Sequence, residues 1–190
     1  MPLPEPKARR EPLHRRTIEI VGYRRADGLY DIEGRLHDRK DVTFPVGGRQ
    51  LCPGEAVHDM WLRITVDREL RIVDASASSE AMPYAGSCDR ITPDYAKLIG
   101  LSIGPGYLRH VKERLGGVHG CTHLTELAAA LATAAFQTFA GQGLSSPERK
   151  PPQLDRCHAL DTHGATVARF YPKWYRGSAP APDAGPTENH

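Results

Sequence analysis

No run of this chain approaches the roughly 20 consecutive apolar residues that a bilayer-spanning helix needs. That argues against a membrane partner. The opening stretch, MPLPEPKARREP, also lacks the apolar middle of a secretory signal, so the sequence reads as cytoplasmic. There is no Gly-rich dinucleotide fingerprint and no phosphate-binding loop, which argues against nicotinamide and ATP chemistry. A charge excess is missing too. The 25 Lys and Arg against 23 Asp and Glu leave a net charge of +2, too little to make a case for a nucleic-acid partner. The four cysteines, Cys52, Cys88, Cys121 and Cys157, are far apart and form no C-x-x-C. In a reducing compartment they are expected as free thiols.

What is present suits one domain with a sizeable core: 190 residues, 39% of them hydrophobic and 25% charged. Residues 1–16 are Pro-rich and carry the basic run KARREPLHRR, which reads as a flexible basic arm. Residues 177–190, small, polar and Pro-rich, read as a disordered tail. A single α+β domain is expected between them, over residues 17–176.

The first half of that domain has strand periodicity. TIEIVGYRR is followed by the turn signal ADG and by LYDIEGRLHD, the two arms of a hairpin. DVTFPV is a short strand that Pro45 confines to an edge. In AVHDMWLRITVD, Met60, Leu62, Ile64 and Val66 alternate with Asp59, Trp61, Arg63 and Thr65, and LRIVDASAS runs back. The expectation is an antiparallel meander of four to six strands. The second half is helical. Thr92 and Pro93 open one helix, GPGYLRHVKERLGG gives a second, and CTHLTELAAALATAAFQTFAG gives a third of about five turns. In the third, Leu124, Leu127, Ala128, Leu131 and Ala135 make one apolar stripe. The three helices are expected to pack on one face of the sheet. ATVARFY, near the end, reads as a last strand.

Chemistry concentrates in a few places. Cys121 or Thr122 caps the long helix, where free N–H groups and the positive end of the helix dipole favour a thiolate or an anionic substrate group. His123 and Glu126 share a helix face, as a base with its orienting carboxylate or as two metal ligands. Further ligands would come from His58, His119, Cys157 or His158. His58 lies on the apolar face of its strand with Met60 and Leu62. The loop AMPYAGSCDR brings Tyr84, Cys88 and Arg90 to the junction of sheet and helices, and the next segment adds Tyr95, Lys97 and Tyr107.

Four segments, GEAVHDMWLRITVD, MPYAGSCDR, LIGLSIGPGYLRHVKERLGGVHGCTHLTEL and RCHALDTHGATVARFYPKW, together resemble a bacterial family labelled as a domain of unknown function. Gly120–Leu127, GCTHLTEL, is the most distinctive part. The resemblance implies aromatic-compound catabolism, in particular formaldehyde release from lignin-derived phenolic dimers. It assigns no residue roles.

The leading expectation is therefore a carbon–carbon lyase that needs no cofactor and no metal and acts on a small aromatic substrate. Its catalytic candidates are His58, Tyr84, Tyr107 and His123, with Arg90, Lys97, Cys121 and Glu126 binding substrate. The alternatives are a metal-dependent hydrolase or lyase built on His123, Glu126 and another His or Cys, and a non-catalytic scaffold that forms a homodimer through the Ala-rich helix.

Overall fold

The structure, a computed structural model, describes residues 3–140, 148, 150–151 and 153–177. The chain divides into two compact units, Met1–Gln142 and Gly143–His190. The sequence reading placed one domain across that boundary. The tail expected at 177–190 lies, except for Gly177, outside the described residues.

The first unit is built on β1 (His14–Arg24), β2 (Tyr30–Lys40), β3 (Phe44–Val46), β4 (Arg49–Leu51), β5 (Ala56–Val66) and β6 (Ile72–Ala81). Four of these form an antiparallel sheet in the order β1-β2-β5-β6, and β3 and β4 form a separate two-stranded hairpin. Gly47 and Gly48 both have positive φ at the tip of that hairpin, as a two-residue primed turn requires. The meander and the helices after it are those expected from the alternating and 3.6-residue patterns. β1, however, starts at His14, inside the segment read as a flexible arm. His14, Arg15 and Arg16 pair in register with Lys40, Arg39 and Asp38. A basic run looks like a solvated tail until its carboxylate partner is known.

A 3-10 helix (Asp89–Leu98), α1 (Tyr107–Leu115) and α2 (Thr122–Phe139) follow the sheet. Thr92 is not the cap expected of it: the helix begins three residues earlier, and the Thr92 hydroxyl donates to the Asp89 carbonyl. Helix α2 lies across the inner face of the sheet and runs antiparallel to β2. Its start meets Asp38, where His123 Nε2 is 3.8 Å from the carboxylate, and its end meets Tyr30, whose ring centroid is 4.3 Å from that of Phe139. Between them Gly34 is needed for close approach: a Cβ there would sit 2.9 Å from Leu131 Cδ2 and 3.1 Å from Leu127 Cδ2. Leu124, Leu127 and Leu131 are fully buried against Ile32, Leu36 and Leu62 of the sheet. Each such side chain contributes about 1.5–3 kcal/mol of burial.

In the second unit, Ala165–Phe170 forms a short helix, α3, where a strand was expected. No strand lies among the described residues of this unit, so an extended ATVARFY would leave its backbone N–H and C=O groups without a ladder. The helix satisfies them locally, with Ala168 N–H donating to Gly164 and Tyr171 N–H to Val167. Among the described residues no helix is long and apolar enough to cross a membrane.

Candidate functional site

The inner face of β2 reads Tyr30, Ile32, Gly34, Leu36 and then Asp38, all buried. A carboxylate thus ends an otherwise apolar row, and Asp38 is 2% exposed. Its register neighbours are Arg16 on β1 and His58 on β5. The pairing of β2 with β5 shifts just beyond Asp38, between Asp38 and Arg39. Such irregularities re-aim side chains and are frequent beside functional sites.

Four donors saturate the Asp38 carboxylate. Arg16 Nε donates to Oδ1 at 2.8 Å and Nη2 to Oδ2 at 2.7 Å. His14 Nε2 donates to Oδ1 at 3.1 Å and His58 Nδ1 to Oδ2 at 3.0 Å. Burial pushes the Asp38 carboxyl up, but these hydrogen bonds and the Arg16 charge outweigh it and hold it down at about 2. Asp38 is therefore an anion across the physiological range. Arg16 is engaged on a second side as well, because its Nη1 donates to Glu126 of α2 at 2.5 Å. One guanidinium thereby ties β1, β2 and the first turns of α2 together.

His123 reaches the same spot from the N-terminus of α2. Cys121 is the N-cap, in extended conformation. The buried Tyr95 hydroxyl holds it, accepting from the Cys121 N–H at 3.0 Å and donating to the Cys121 carbonyl at 2.8 Å. The His123 ring lies on that of His58, with centroids 3.8 Å apart and planes inclined by 34°. Burial lowers the pKa of His123 to about 4, helped by the charges of His58 and Arg16 and opposed by Asp38. Burial also lowers that of His58, again against Asp38. Near neutral pH His58 and His123 are therefore neutral imidazoles beside the Asp38 carboxylate and the Arg16 guanidinium. With His58 Nδ1–H donated to Asp38, its lone pair is on Nε2.

These groups line an open cleft of about 370 Å³. Phe44, Val46, Val57, Pro83 and Tyr84 supply the rest of its wall, together with Lys40. The volume falls in the range of small-molecule sites.

Of the residues singled out from the sequence, His58, Tyr84 and His123 line the cleft. Glu126 touches it indirectly through Arg16, and Cys121 through a 3.8 Å contact between its Sγ and His123 Nδ1. Tyr107 does not belong. It is 3% exposed in the core, its hydroxyl donates to the Ala128 carbonyl, and burial pushes its pKa up. Arg90 and Lys97 are exposed and outside the cleft lining, and Lys97 pairs with Asp94. A tyrosine after a Gly-Pro-Gly turn is indistinguishable by sequence from one that faces a pocket.

His14, Arg16, Asp38 and Lys40 were not among those candidates. Asp38 was open to detection, since counting by twos from Ile32 places a carboxylate on the buried face. Arg16 was not, because its partner is 22 residues away across a strand pairing.

Asp38, His58 and His123 each offer a ligand atom, all within 4.8 Å of one another. Two neutral imidazoles and a carboxylate suit zinc or non-haem iron. An ion there would compete with Arg16, His14 and His58 for the Asp38 oxygens. Glu126 is outside this group, and His119, Cys157 and His158 are exposed and outside it as well. The ligand set expected from the sequence is therefore corrected to one centred on Asp38.

Residues 14–137 match a family model described as "Protein of unknown function (DUF2889)". That span covers the whole four-stranded sheet and every residue of the Asp38 cluster. No curated protein and no solved structure matches the chain significantly.

Proposed function

We propose that this chain, which belongs to the DUF2889 family of proteins of unknown function, is an acid–base enzyme, a carbon–carbon lyase for small phenolic aromatics. The observation that carries the reading is the 3.0 Å hydrogen bond from His58 Nδ1 to the buried Asp38 carboxylate, at the wall of a cleft sized for a small molecule. A carboxylate on Nδ1 fixes the tautomer, leaves Nε2 as a base and stabilises the imidazolium formed when it takes a proton. The lowered pKa of His58 keeps that base unprotonated near neutrality.

The reaction is loss of formaldehyde from a para-hydroxyphenyl substrate with a terminal CH₂OH. Deprotonation of the phenol expels the benzylic oxygen and gives a quinone methide. His58 then takes the proton of the CH₂OH group. The C–C bond to that carbon breaks, its electron pair forms the new C=C bond and restores the aromatic ring, and formaldehyde leaves. The proton lost by the phenol goes to the expelled oxygen and the one taken up by His58 returns to the product phenolate, so no oxidant or reductant enters. In this reading His123, whose ring lies against that of His58, hydrogen-bonds the substrate oxygen.

A second reading is favoured by the convergence of Asp38, His58 and His123. In that reading these three residues would hold a divalent ion, which would supply Lewis-acid activation of a hydroxyl or water. The saturation of Asp38 by Arg16, His14 and His58 weighs against it. The test is incubation of purified protein with phenolic lignin-type dimers, with formaldehyde assay and metal analysis of the same preparation. Formaldehyde from metal-free protein supports the acid–base reading. Formaldehyde that depends on stoichiometric zinc or iron supports the second, and none across the panel sinks both.

A further inference from the structure

The basic side chains of the cleft are not equivalent. Arg16 spends Nε and Nη2 on Asp38 and Nη1 on Glu126. His14 gives Nε2 to Asp38. Lys40 differs. It follows Asp38 by two residues on β2, it lines the cleft, and among the described residues no carboxylate pairs with it. Its Nζ instead lies 4.9 Å from the centroid of the Phe44 ring. Phe44, Val46, Pro83 and Tyr84 make the neighbouring wall apolar. An ammonium held over an aromatic ring beside such a wall is partly stripped of water, which strengthens its pull on an anion.

We infer that Lys40 and Phe44 form a subsite for an oxyanion carried on the substrate's aromatic ring, a phenolate or an aryl carboxylate. Two residues along a strand span roughly 7 Å, a distance of the order of one para-substituted ring. A ring lying on Phe44 and Tyr84 thus presents its oxyanion to Lys40 and its opposite substituent to His58 and His123. The subsite rests on the reading of the cleft as a substrate site, but not on formaldehyde as the product. It also supplies what the exposed Arg90 and Lys97 do not, a cation at the cleft for the phenolate.

Binding rather than turnover tests this. The full chain is titrated with two matched pairs of probes, benzoate against benzamide and 4-nitrophenolate against 4-nitroanisole, with dissociation constants read by calorimetry or NMR shifts. At least one anion is expected to bind about five- to tenfold more tightly than its neutral partner. The pair that shows the preference identifies the oxyanion. Lys40→Arg is expected to keep the ratio and Lys40→Gln to bring it close to one. Equal binding of both partners in both pairs overturns the subsite, as does a ratio unchanged in Lys40→Gln or no binding at millimolar probe. These outcomes do not depend on formaldehyde release, so either idea can fail alone.

Discussion

His123 and His58 are neutral in the fold because burial makes their charged forms costly. The consequence for stability has a definite sign. An unfolded histidine takes a proton near pH 6.5, whereas His123 in the fold holds out to about 4. Between those values the unfolded chain binds more protons, so stability is complete above about pH 6.5 and is lost as pH falls towards 4. The loss from His123 amounts to at most about 3 kcal/mol. Urea unfolding at stepped pH checks this. Wild type is expected to lose more stability than His123→Gln across that window, and parallel curves would contradict it. Asp38 acts lower on the scale. Its stabilising charge is present above about pH 4 and disappears as pH falls through about 2.

At the scale of elements, the site depends on α2 lying close over β2 and on β1 reaching back to His14. Gly34→Val places carbon atoms where Leu127 and Leu131 already sit, and overpacking of this kind costs about 1–3 kcal/mol. The thermal midpoint is expected to fall by roughly 2–4 °C for each kcal/mol. An unchanged midpoint would show that the helix can lift at no cost. Truncation addresses β1. Removing residues 1–12 spares the strand and is expected to change little. Removing residues 1–17 takes away His14 and Arg16, leaves Asp38 buried without its guanidinium, and is expected to cost about 3–5 kcal/mol. Equal stability of the two truncations would mean that the Arg16–Asp38 pair does not hold the edge of the sheet.

These elements also show what a sequence can and cannot convey. Alternation in Ala56–Val66 and the stripe of Leu124, Leu127 and Leu131 are local patterns, and the structure follows them. ATVARFY has strand-like composition, but a strand needs a neighbour, and composition does not supply one. The site is harder still. His58 and His123 stood out as histidines beside apolar rows, but what turns them into a cluster is Asp38 between them and Arg16 behind it, joined through pairings across β1, β2 and β5.

For the molecule as a whole, the family match spans the sheet and the cluster and is silent on chemistry. The net charge of +2 gives no general attraction for anions, so affinity for an aromatic oxyanion has to come from placed groups in the cleft. A base such as His58 is worth typically 10²–10⁴-fold in rate. The decisive measurement is therefore formaldehyde released from a para-hydroxyphenyl dimer bearing a terminal CH₂OH, followed in parallel for metal-free wild type and for folded His58→Gln. Steady release by wild type with at least a hundredfold loss in the variant is expected. No release by wild type, or equal release by both proteins, would contradict the role given to the Asp38–His58 pair.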